Sequence, residues 1–100
     1  MLITAKSKLG KKVRCHHVLT NEVMGTVFAC DTKRGWIDMY LVDPTTNKLY
    51  FDRKTGKLAT QRLNTDFVIA TKRGRKLFRT VWTWGKPRRP IEYKLGPLPK

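Results

Sequence analysis

The sequence predicts a mainly β protein, a small antiparallel sheet or partly open barrel with a basic, proline-rich C-terminal arm. Three observations carry that expectation. Apolar and polar residues alternate with a period of two over several short stretches. Turn signals, three of them containing glycine, separate those stretches at close intervals. Four of the five prolines, Pro87, Pro90, Pro97 and Pro99, lie near the C-terminal end, where neither helix nor central strand is expected. A chain of 100 residues, 40% of them hydrophobic, is bounded to one core. The expected organisation is a basic lead-in (1–11), a single β-rich domain (12–84) and an extended basic tail (85–100).

The elements follow in order. Residues 12–19 alternate, placing Val13, Cys15, His17 and Leu19 on one face. A turn at Thr20-Asn21-Glu22 leads into 23–31, rich in β-branched and aromatic residues. Thr32-Lys33-Arg34-Gly35 reads as a hairpin turn before 36–42, where Ile37, Met39 and Leu41 oppose Trp36, Asp38, Tyr40 and Val42. A loop at 43–48 contains Pro44. Residues 49–52 and 57–63 flank the turn signal Arg53-Lys54-Thr55-Gly56, and 58–63 is the one place where a short helix is conceivable. Residues 67–71 and 76–84 flank Lys72-Arg73-Gly74-Arg75. On the last strand the alternation puts Phe78, Thr80, Trp82 and Trp84 on one face, opposite Leu77, Arg79, Val81 and Thr83.

Charge narrows the partner. Twenty-two Lys and Arg against seven acids give a net +15. Residues 1–50 hold eight basic and four acidic side chains, residues 51–100 fourteen and three. A field this concentrated attracts polyanions, and nucleic acid is the densest one available, each neutralised phosphate releasing counterions. An anionic membrane surface usually requires a basic amphipathic helix, and none is legible. The predicted phosphate contacts are Lys11 and Lys12 from the lead-in; Lys72, Arg73, Arg75, Lys76 and Arg79 around the last hairpin; and Lys86, Arg88 and Arg89 in the tail, with Lys94 and Lys100 beyond them. Arg73-Gly74-Arg75 is similar to the centre of an AT-hook, which continues with proline where this chain has Lys76. Trp36, Tyr40, Trp82 and Trp84 are candidates for stacking bases. The tail's Ile91, Tyr93, Leu95 and Leu98 are equally suited to docking on a protein.

Signatures of chemistry are thin. Cys15, His17 and Cys30 offer three zinc ligands at most, without the paired Cys-x-x-Cys spacing of a structural site, so no metal and no cofactor are expected. The chain has one serine, Ser7, and no phosphate-binding glycine loop. Glu92-Tyr93-Lys94 has the Glu-x-Lys form of restriction-type nucleases but lacks their upstream Pro-Asp acid. The two cysteines make no disulfide framework, and the N-terminal residues lack a signal-peptide layout, so a cytoplasmic location is expected.

The stretch 29–43, Ala-Cys-Asp-Thr-Lys-Arg-Gly-Trp-Ile-Asp-Met-Tyr-Leu-Val-Asp, and the later Leu58-Ala59-Thr60-Gln61-Arg62-Leu63 resemble short proteins of unassigned function in tailed-phage genomes. That resemblance covers about the middle third of the chain. It implies a viral accessory or virion component, located in the host cytoplasm or the virion, and no activity. The leading expectation is a non-enzymatic nucleic-acid-binding module. The alternative is a viral structural or assembly protein, or an inhibitor of a host enzyme, that docks through its tail.

Overall fold

A computed structural model describes residues 1–99; Lys100 lies outside the described residues. Among them are ten β-strands and no helix. They are β1 (Leu2–Thr4), β2 (Val13–His16), β3 (Val27–Asp31), β4 (Trp36–Tyr40), β5 (Phe51–Asp52), β6 (Lys57–Leu58), β7 (Thr60–Asn64), β8 (Phe67–Thr71), β9 (Lys76–Trp82) and β10 (Pro90–Lys94). Two antiparallel four-stranded sheets, ordered β1-β3-β4-β7 and β10-β9-β8-β2, enclose the core, and β5-β6 forms a separate hairpin. The sheets do not close into a barrel. Of the two architectures expected, open antiparallel sheets is the one adopted.

Register explains the core. Across the first sheet Ile3 faces Cys30, Cys30 faces Ile37, and Ile37 faces Leu63, giving one inward row. Across the second, Phe78 faces Ile69 and Ile69 faces Cys15, while Phe67 faces Thr80. These rows meet in a cluster that also takes in Val13 and Leu77. Ile37, Phe67 and Leu77 are wholly inaccessible to solvent. Fully burying each such side chain contributes roughly 1.5–3 kcal/mol. Both cysteines sit here as free thiols. Burial pushes each up to about 12, helped for Cys15 by Cys30 and for Cys30 by Asp31, so they act as small apolar groups rather than nucleophiles.

Beside the Met1 ammonium's contact with Glu92 at 3.4 Å, three bonds tie sheet to sheet. The Thr80 hydroxyl donates to the Thr32 carbonyl at 2.7 Å. The Trp82 indole N–H donates to the Gly35 carbonyl at 2.8 Å. The Thr32 hydroxyl donates to the Glu92 carboxylate. Gly35 is the close-approach point: φ is +75°, and a Cβ there would lie 2.5 Å from Pro90 Cβ and 2.7 Å from Trp82 Nε1. Only glycine combines that backbone with that proximity.

Several strand expectations change in detail. The alternation of 12–19 stops at His16, because Asn21 N–H bonds to the His17 carbonyl and turns the chain; Leu19 is 97% exposed. His17 is exposed too, and so leaves the pair of buried thiols. No helix forms at 58–63, where Ile37–Leu63 and Asp38–Arg62 pairing holds β7 extended; sheet partners override a modest helical preference. On β9 a register shift between Ile69 and Ala70 makes Leu77 an extra residue, so Leu77 and Phe78 are both buried in place of strict alternation. Trp84 falls beyond the end of β9. The lead-in and the tail each supply an edge strand: Leu2–Thr4 pairs with β3, and Pro90–Lys94 pairs with β9, proline taking the first edge-strand position.

Residues 41–59 leave the first sheet between β4 and β7 and return, clamped by Leu41 N–H to Ala59 O and Tyr50 N–H to Leu41 O. Leu49, Tyr50, Phe51 and Leu58 stand 40–54% exposed on this excursion. Periodicity gave no hint of that apolar surface.

Candidate nucleic-acid interface

The outward face of the second sheet is set by its pairing. One row runs Tyr93, Arg79, Val68, His16, and the next runs Lys76, Ala70, Arg14. Val81 and Ile91 face each other beyond them. Arg14, Lys76 and Arg79 are exposed, and no Asp or Glu occupies an outward strand position on this sheet. Glu92 alternates to the opposite face, toward Thr32, and the Asp66 carboxylate accepts the Trp82 backbone N–H at 2.8 Å. The three cations therefore share a surface without local carboxylates.

Each end of this face carries a basic turn. At the first, Thr71 holds the β8–β9 hairpin: its hydroxyl accepts Arg75 N–H at 3.0 Å, its carbonyl accepts Gly74 N–H, and Gly74 takes φ +94°. Lys72, Arg73 and Arg75 project into solvent as a result. Lys72 N–H bonds to the Lys12 carbonyl at 3.2 Å, bringing Lys11 and Lys12 to the same end. Gly96 passes beside Lys76 and Arg75, so the chain after β10 lies there too.

At the other end, Thr83 closes the loop from β9 to β10, exchanging backbone and hydroxyl bonds with Arg89. That loop displays Trp84, Lys86, Arg88 and Arg89, all exposed. Along β9 the two ends stand about 20 Å apart at ~3.3 Å per residue. The same length of duplex presents roughly six phosphates per strand. Ten of the twelve predicted cations thus lie on one sheet face or at its two ends; Lys94 falls with Glu92 on the opposite side, and Lys100 is outside the described residues.

The aromatic candidates separate. Trp36 and Tyr40 lie on the outer face of the other sheet. Arg62 stands over the Trp36 ring at 3.8 Å while gripping Asp38 through two bonds of 2.7 and 3.0 Å. Tyr40 packs on Phe28, ring centres 4.5 Å apart. Trp82 is half-buried and tied by its indole to Gly35. Trp84 is 93% exposed, although burying such a ring would be worth about 3 kcal/mol. Among the described residues other than Lys12, Arg62 is the one Lys or Arg side chain held in an ion pair.

Glu92 has a structural task rather than a free carboxylate. The Thr32 hydroxyl bonded to it, with the Met1 ammonium and Lys94 nearby, holds it below the ordinary carboxylate range against the push of burial. Burial also pushes Asp31 up, but the N–H groups of Arg34 and Lys33 and the Met1 ammonium bring it below its usual value. Groups lowered on folding stabilise the fold above their unfolded pKa, about 4, and lose that contribution as pH falls through the folded value. Stability to urea is expected to be level from pH 7 to about 5 and to fall below about 4. Glu92→Gln is expected to lower the plateau and flatten the fall; an unchanged acid slope would show that the Thr32 bond does not hold this carboxylate.

Among the described residues no cluster of three His, Cys, Asp or Glu side chains is placed to hold a metal ion, and no helix is long and apolar enough to cross a membrane. No protein-family model, no curated protein and no solved structure matches this chain.

Proposed function

We propose that this protein is a nucleic-acid-binding module that acts by binding alone, laying the cationic face of its second sheet along a sugar–phosphate backbone. The observation that carries this is the placement of Arg14, Lys76 and Arg79 on a face without carboxylates, between two basic turns. Such a surface neutralises phosphates without first breaking ion pairs of its own, and the paired strands hold the cations in a fixed register. Contacts of this kind position a backbone and read no sequence.

The test is titration with duplex DNA, single-stranded DNA and RNA at two salt concentrations. With six phosphates engaged, raising salt from 50 to 200 mM is expected to weaken duplex binding about a thousandfold. Binding indifferent to salt, or none at low salt, would end the proposal.

A second reading, a viral structural or assembly protein or an inhibitor of a host enzyme, is supported by a different observation. Ile91, Tyr93, Leu95 and Leu98 are 40–48% exposed along the β10 edge. Apolar groups on an edge strand can receive a protein partner by strand addition. Under that reading the titration shows no nucleic-acid binding at any salt.

A further inference from the structure

We infer that the loop joining β9 to β10 is a stacking site for an unpaired nucleobase, with Trp84 as the platform and Arg88 as its cationic neighbour. The inference rests on the nucleic-acid reading and narrows it to a strand with unpaired bases. Trp84 lies beyond the last ladder pair, Trp82–Pro90, and is 93% exposed. The Arg88 guanidinium stands 5.5 Å from the Trp84 ring and 5.8 Å from the Trp82 ring, bridging the platform to the folded body. Thr83 and Arg89 pin the base of the loop through bonds of 2.8 and 3.0 Å. The platform is thus mounted on a closed loop.

The chemistry of the loop distinguishes its partner. Every base has a π-face, so stacking on a tryptophan tolerates any sequence, but in a duplex those faces are covered by neighbouring pairs. Arg88 stands beside the ring, Lys86 and Arg89 belong to the same loop, and residues 83–89 contain no acid. A base stacked on Trp84 therefore carries its phosphates into positive potential. A purely protein-docking loop has no need of three cations and no acid within seven residues. The other aromatic candidates are engaged: Trp36 by Arg62, Tyr40 by Phe28, Trp82 by Gly35.

Wild-type protein and Trp84→Ala, Trp84→Phe and Arg88→Ala variants are titrated with oligothymidylate and with covalently closed duplex DNA, which offers no open ends. Trp84 is solvent-exposed and joins no core contact, so the variants are expected to fold, which circular dichroism checks. Trp84→Ala is expected to weaken oligothymidylate binding roughly 5- to 150-fold while leaving the salt slope and the duplex affinity unchanged. Trp84→Phe restores most of the loss. Arg88→Ala weakens oligothymidylate binding and also makes the salt slope shallower by about one. Oligothymidylate binding by Trp84→Ala equal to wild type overturns the inference, as does an equal loss for both probes, which would indicate insertion into duplex. If wild type binds neither probe at low salt, the broader proposal falls with it; if wild type binds and Trp84→Ala is indifferent, only the stacking site falls.

Discussion

Gly35→Val is expected to destabilise the protein by about 4 kcal/mol, against the 5–15 kcal/mol typical of a whole domain. Three effects add. A β-branched residue at φ +75° costs ~1–2 kcal/mol. Its Cβ would sit 2.5 Å from Pro90 Cβ and 2.9 Å from Trp82 Cε2, and relieving such overlap in a packed site costs roughly 1–3 kcal/mol. Moving Trp82 aside also breaks its 2.8 Å bond to the Gly35 carbonyl, worth about 1 kcal/mol net. Urea unfolding followed by tryptophan emission is expected to give a lower midpoint at unchanged slope. Gly56→Ala and Gly74→Ala are the controls. Both glycines have positive φ, at +70° and +94°, but nothing lies within 4 Å of an added Cβ. Each should cost about 1 kcal/mol. If Gly35→Val behaves like those two, the β3–β4 turn does not pack tightly against Pro90 and Trp82 of the second sheet.

The second large effect concerns affinity. Replacing Arg14, Lys76 and Arg79 together by Gln is expected to weaken duplex binding about 500-fold at 0.1 M salt and to make the salt slope shallower by about three. Both figures come from counterion release alone: three lost phosphate contacts at about 0.9 ion each. All three side chains are exposed and glutamine keeps part of their aliphatic stems, so the fold should survive. Arg62→Gln, on the far sheet and already paired with Asp38, should leave binding near wild type. If the triple variant keeps the wild-type slope, the phosphates lie somewhere other than the second sheet.

Much of the architecture was legible because it is local. The turns at Gly35, Gly56 and Gly74 all take the left-handed backbone their sequences signalled, and the strand expected over 36–42 forms as far as Tyr40, with Leu41 and Val42 exposed beyond its end. What was not legible depends on partners distant in sequence. Leu2–Thr4 and Pro90–Lys94 have no strong pattern of their own and become strands only because β3 and β9 present free edges. The extra residue at Leu77 is equally silent: the period of two breaks there because the β8–β9 register shifts between Ile69 and Ala70, a property of the pairing and not of the strand's own pattern.

The candidate surface follows the same division. Which residues are basic is plain from the sequence, and so is their clustering in turns. That Arg14 joins Lys76 and Arg79 on one face is a property of β2–β8 pairing, and Arg14 was missed for that reason. The alternating pattern of Arg14 between Val13 and Cys15 was the available signal, since it marks an outward position beside two buried ones. That Trp84 is exposed while Trp82 is half-buried goes with where β9 ends, a boundary that unbroken alternation conceals.

Tyr40 and Thr60 already face each other as neighbours across β4 and β7. A two-residue reverse turn would connect them, and none of residues 41–59 belongs to the buried cluster. The excursion is therefore topologically an insertion, spliced into a hairpin complete without it. Replacing it by such a turn would remove no member of the buried cluster, and with it would go the exposed rings of Tyr50 and Phe51.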